Sequence, residues 1–147
     1  MSEAAPLTIQ RIAIFPLPGA VLFPGLPLPL HIFEPRYKAM VQEVLARDRQ
    51  IGMIQPRQIA GEESREPPAL YDVGCVGRIV DVEALEEGRF NLILEGVARF
   101  RVRRELDVTT PFRQVEAEIE TEVETDAVLS SIERASLERE AKRFAAR

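Results

Sequence analysis

Cysteine, histidine, lysine and serine, which could supply a nucleophile and its nitrogen base, are few: Cys75, His31, Lys38, Lys142 and the serines Ser2, Ser64, Ser130, Ser131 and Ser136. A Ser–Lys pair can attack an acyl carbon when the lysine sits deprotonated beside the hydroxyl. Lys38 falls on a predicted helix, whereas the serines fall in polar stretches or the C-terminal segment, so no such pair is set up. One histidine and one cysteine cannot assemble zinc's usual nitrogen and sulfur ligands, and no metal site is expected. No glycine is followed by lysine, which excludes the phosphate-cradling GxxxxGK[ST] loop; GxGxxG, HExxH and GxSxG are absent too. "GCVGR", from Gly74, is too short for a dinucleotide loop and lies inside a predicted strand. No catalytic residue and no cofactor is assigned, and the chain is expected not to be an enzyme.

Three remaining features each admit a functional and a plain structural account. His31 is a pH-sensitive or hydrogen-bonding group at a binding rim, or a structural histidine bonded to a backbone carbonyl; the second is favoured. Cys75, between Gly74 and Val76, reads as a small buried core residue, since no cation adjoins it in sequence to lower its pKa. Arg99, Arg101 and Arg103 share one face of a predicted strand and could touch a phosphate backbone. The acidic segment 116–124 lies nearby in sequence, and pairing with it is favoured.

The elements that must position these residues start with "IAIFPLPGAVLFPGLPLPLHIF", Ile12 to Phe33, which carries no Asp, Glu, Lys or Arg. Its length would span a bilayer as a helix. Five prolines, Pro16, Pro18, Pro24, Pro27 and Pro29, forbid that, each interior one costing a helix roughly 3 kcal/mol. Glu3 and the same prolines also exclude a signal peptide. The segment must fold as short extended pieces joined by turns at Pro18-Gly19 and Pro24-Gly25. Ile12, Ile14, Val21, Phe33 and their apolar neighbours are expected to be buried; among the aromatics, Phe15, Phe33, Tyr37 and Tyr71 are assigned to the core and Phe23 is the one placed outside. Leu26, Leu28 and Leu30 share a face opposite Pro27 and Pro29, and proline's missing N–H places this strand at an edge.

"EPRYKAMVQEVLARD" predicts a helix over 34–48, with Tyr37, Met40, Val41, Val44 and Leu45 as its apolar stripe and Glu43 four residues before Arg47. "QIGMIQP" is a short strand, and the polar 57–70 a loop exposed to proteolysis. Residues 76–106 read as a meander with a Glu86–Arg89 turn and a turn or bulge at Glu95-Gly96. The stretch 113–124 alternates, with Val115, Ala117, Ile119 and Val123 inward and glutamates outward. From Asp126 the period becomes helical, giving a β-rich domain over 1–124 and the start of a helical subdomain over 125–147.

With 46% hydrophobic and 29% charged residues, the composition is that of a folded globular domain rather than a disordered chain. A net charge of −5 argues against nucleic acid and anionic membranes as partners. A lone cysteine and no recognisable targeting segment fit the cytoplasm.

Taken together, "IAIFPLPGAVLFPGLPLPLHIFEPRYKAMV" and "GCVGRIVDVEALEEGRFNLILEGVARFRV" resemble the N-terminal substrate-binding domain of the ATP-dependent Lon proteases, over about residues 9–123. The resemblance implies a mainly β fold with α, an α+β PUA-like pseudo-barrel carrying one packed helix, followed by a helical bundle. It implies a polypeptide-recognition or assembly module, because the ATPase and peptidase modules of Lon are missing from these residues. Partners would be unfolded or apolar polypeptide segments, with self-association as a further expectation. The rigid, donor-poor 16–30 segment supplies the candidate peptide contacts: Phe23, Pro24, Leu26 and His31. An RNA-binding module using the arginine row, and a structural or oligomerising domain of a longer protease, are the alternatives.

Overall fold

A computed structural model describes residues 8–120 of the 147-residue chain. The element order is β1 (Thr8–Pro16), β2 (Pro27–Ile32), α1 (Pro35–Leu45), β3 (Gln50–Ile54), β4 (Pro56–Arg57), β5 (Ala69–Leu70), β6 (Val73–Ala84), β7 (Phe90–Glu105) and β8 (Gln114–Ile119). The expected terminal helix and the 124/125 boundary lie outside the described residues.

Six strands form one sheet in the order β2-β7-β6-β3-β1-β8, and β8 also pairs with β7. That extra pairing closes β7, β6, β3, β1 and β8 into a five-stranded ring, so the fold is mainly β with one helix. Only β1 and β3 run parallel. β7 makes closure possible. Its N-terminal half pairs with β2, its C-terminal half with β8, and β6 lines its opposite edge from Phe90 to Arg101.

β7 runs unbroken from Phe90 to Glu105, so of the two readings at Glu95-Gly96 the bulge holds and the turn does not. Val76 pairs with Ala98 and Gly77 with Gly96, leaving Val97 as the extra residue. Such a bulge bends a strand and raises its twist, which lets one strand serve both the ring and β2.

β1 is buried on both faces from Ile12 to Phe15, and the core divides accordingly. Ala13 and Phe15 join Leu30, Ile32, Tyr37, Met40, Val41, Val44, Phe90, Leu92 and Leu94 between the sheet and α1. Ile12 and Ile14 join Ile54, Val76, Phe100, Val115 and Ala117 inside the ring. α1 begins after Glu34 with Pro35 in its first turn, where the missing N–H costs nothing. It buries Tyr37, Met40, Val41 and Val44, and Arg47 meets Glu43 at 3.3 Å, as their spacing predicts. Burying each large apolar side chain of that stripe contributes about 1.5–3 kcal/mol.

Gly74 shows why the ring interior needs a bare backbone: a Cβ there would stand 2.7 Å from the Phe100 ring, closer than side chains tolerate. The polar stretch after β4 is closed at its base by the two-residue β4–β5 ladder, a pairing the sequence did not reveal. Three burial expectations are corrected. Val21, Phe33 and Tyr71 are exposed rather than in the core. Phe33 follows the outward residues Pro27, Pro29 and His31 by alternation, and Tyr71 sits under the Arg57 guanidinium instead.

Candidate functional site

The segment between β1 and β2 is pinned at both ends. Near its start, Gln55 Nε2 donates to the carbonyls of Leu17 and Ala20, and Gln55 Oε1 accepts from the Gly19 N–H at 3.0 Å. One half-buried side chain thus bonds three backbone groups of the proline-broken loop, the Leu17 carbonyl also accepting from the Ala20 N–H at 3.3 Å. Near its end, Gly25 N donates to Gly96 O at 2.8 Å and Gly96 N donates to Leu26 O at 2.9 Å. Gly96 must be glycine, because a Cβ would collide with the Phe23 carbonyl. Between the pins Leu22 drops into the core over Gly77, while Val21 and Phe23 face outward.

This loop forms one wall of a cleft of about 390 Å³. Val21, Phe23 and Pro24 stand on the loop side, Met53 and Ile54 come from β3, and Val73, Gly74 and Cys75 from β6. Among the described residues, Arg99 is the one charged side chain lining it. Burial pushes the Cys75 thiol up to about 11. The sequence offered no cationic neighbour, yet β-pairing sets Arg99 opposite Cys75; its opposing pull is far weaker than desolvation. Cys75 is therefore floor rather than nucleophile.

The four residues proposed from sequence do not form one cluster. Phe23 is 54% exposed and lines the cleft with Pro24. Leu26 is 8% exposed, so it offers little surface to a partner in this conformation. His31 pairs with Asn91, five residues along β7 from the Gly96 pin, which at about 3.4 Å per residue is roughly 17 Å away. Its Nδ1 lies 2.8 Å from Asn91 Oδ1, and Asn91 Nδ2 donates to Glu83 Oε1 at 3.1 Å. With the amide so oriented, the ring donates to a side-chain carbonyl, not to the backbone carbonyl expected. Phe33 stacks on the His31 ring with centroids 5.8 Å apart. Gln55, Val21, Val73 and Arg99 are among the cleft residues that the sequence did not single out as contacts. Only contacts spanning dozens of residues reveal them.

The arginine row meets carboxylates on the neighbouring strand. Arg99 lies 3.8 Å from Glu120, Arg103 3.8 Å from Glu118, and Arg104 3.6 Å from Glu116. Pairing wins as expected, with Arg104 rather than Arg101 completing the set, because the ladder shifts register between Val102 and Arg104. Among the described residues, no group of three or more His, Cys, Asp or Glu could hold a metal ion. None of the described helices is long and apolar enough to cross a membrane.

Comparison with known proteins places this geometry in context. Residues 11–144 match the family described as the ATP-dependent protease La (LON) substrate-binding domain. The Lon protease of Anaeromyxobacter dehalogenans is 34% identical over 122 residues, 83% of this chain but 14% of that protein. Lon protease 2 of Myxococcus xanthus is 37% identical over 93 residues, 63% of this chain and 11% of its own. The chain thus spans a small fraction of the proteases it resembles. The crystal structure of a Lon N-terminal domain protein from Xanthomonas campestris superposes with a TM-score of 0.58 at 26% identity, covering 87% of this chain and 74% of that one. The N-terminal domain of the Mycobacterium avium complex Lon protease shares the fold, with a TM-score of 0.59 at 14% identity over 91% of this chain and 75% of its own. A proline-broken segment pinned over a closed β ring, matched across nearly all its length, makes this chain a member of the Lon substrate-binding domain family.

Proposed function

We propose that the chain is a non-catalytic, cytoplasmic polypeptide-binding module that receives apolar side chains of unfolded segments in the cleft beneath Phe23. The observation that carries this reading is the cleft itself: an apolar hollow whose outer wall is an exposed aromatic on a loop pinned at both ends. Pre-organisation lowers the ordering cost of binding, and exposed apolar rims mark interaction sites more often than scattered apolar residues do.

Addition of a peptide strand is the less favoured mode. β2 is the edge of the six-stranded sheet, and Pro27 and Pro29 have no N–H to offer an incoming strand. Nucleic-acid binding through the arginine row is disfavoured by its pairing with Glu116, Glu118 and Glu120. His31 and Phe33 belong to a separate surface and are assigned a supporting contact for longer segments.

The test is a fluorescence titration of a permanently unfolded, labelled model polypeptide. Saturable binding is expected, weakened about tenfold by Phe23→Ser, or ~1.4 kcal/mol. Circular dichroism controls for folding. Absence of binding, or equal binding by the folded Phe23→Ser variant, refutes the reading.

A further inference from the structure

We infer that the cleft prefers segments in which an apolar residue is flanked by carboxylates, with Arg99 reading the charge. The inference rests on the polypeptide-binding reading and adds a substrate class to it. Among the described residues lining the cleft, Arg99 is the single charged group, and every other one is apolar or neutral. Its own partner holds it loosely. Nε stands 3.8 Å from Glu120, beyond hydrogen-bond distance, and the side chains are 67% and 61% exposed. A guanidinium presents five donors in a planar fork that suits a carboxylate bidentately. An incoming Asp or Glu can therefore take up donors that Glu120 leaves unused, while an incoming Lys or Arg meets like charge at Arg99.

The chain as a whole repels acidic partners, with its net charge of −5. The preference must therefore be local to Arg99. Charges elsewhere on the surface are screened over about 8 Å at physiological salt.

Three labelled peptides sharing a Leu-Phe-Leu centre, flanked by serines, aspartates or lysines, are titrated against the whole chain by anisotropy. For wild type, the aspartate peptide is expected to bind on the order of fivefold tighter than the serine peptide, and the lysine peptide correspondingly weaker. Arg99→Gln should abolish the spread and Arg99→Glu reverse it. Arg47→Gln, the same charge change on the helix, should leave it intact. Phe23→Ser should weaken all three alike. Equal affinities in wild type, a spread that survives Arg99→Gln, or one that Arg47→Gln abolishes equally overturns the inference while leaving apolar capture standing. Binding of none of the peptides removes both.

Discussion

Arg113 holds Glu105 through two hydrogen bonds, Nε to Oε2 at 2.7 Å and Nη2 to Oε1 at 2.6 Å, and gives a third, from Nη1, to Pro68 O at 2.9 Å. These bonds keep the Glu105 carboxyl below its ordinary range, against the opposing effect of its partial burial. A carboxylate with a depressed folded-state pKa stabilises the fold above its unfolded value, about 4.3, and loses that contribution as pH falls through the lower folded value. Glu105 is substantially exposed, so solvent screening holds the effect under about 1 kcal/mol. Glu105→Gln should lower the urea midpoint at pH 7, and the gap from wild type should close below about pH 4. A gap that stays constant into strong acid would assign the effect to shape rather than charge. At this scale the sequence was legible for Cys75, expected as a small core residue and found 4% exposed. Gln55 was illegible, because a glutamine before a proline carries no sign that it caps carbonyls 35 and 38 residues earlier.

Among the elements, Gly96 is where β7 and the proline loop meet, since it exchanges hydrogen bonds with Gly25 and Leu26 under the Phe23 carbonyl. Gly96→Ala forces the loop away from the strand, an overpacking expected to cost about 1–3 kcal/mol. Because that loop is the cleft wall, affinity for the unfolded polypeptide should fall as well. Thermal melts and the titration, run on the same preparation, should show both losses. A variant destabilised yet binding normally would detach the cleft from the loop. Alternation and helical spacing made most elements readable, including the stripe Tyr37, Met40, Val41 and Val44 and the inward Val115 and Ala117. What alternation cannot give is partnership. Ring closure depends on β7 pairing with β8 as well as β6; the arginine row and the acidic segment hinted at the β8 pairing, but alternation within either strand does not specify it. The outward placement of Phe33 was misread for a related reason, since apolar character alone does not say which side of a strand is covered.

For the molecule entire, the expected chemistry is recognition without cleavage. Incubating the purified chain with casein, with and without ATP, should generate no new amino termini by labelling; cleavage that follows the protein through successive columns would refute this. The family was legible because the Ile12–Val41 string combines prolines, glycines and apolar residues in an order that few folds require. The candidate cleft was half legible. Proline rigidity pointed to Phe23 and Pro24, but Leu26 is internal and His31 lies on another face, because a segment that turns twice scatters its side chains.

Thr8 lies directly opposite Ile119 in the antiparallel β1–β8 pair, so the path into the described domain and the path out of it run side by side. Tension applied between those two points would load that ladder one rung at a time, as a zip is opened, instead of straining all its rungs together. The seam between the outermost segments is thus the mechanically weak line of the fold, and the helix-covered core behind it would be the last part to feel a tug.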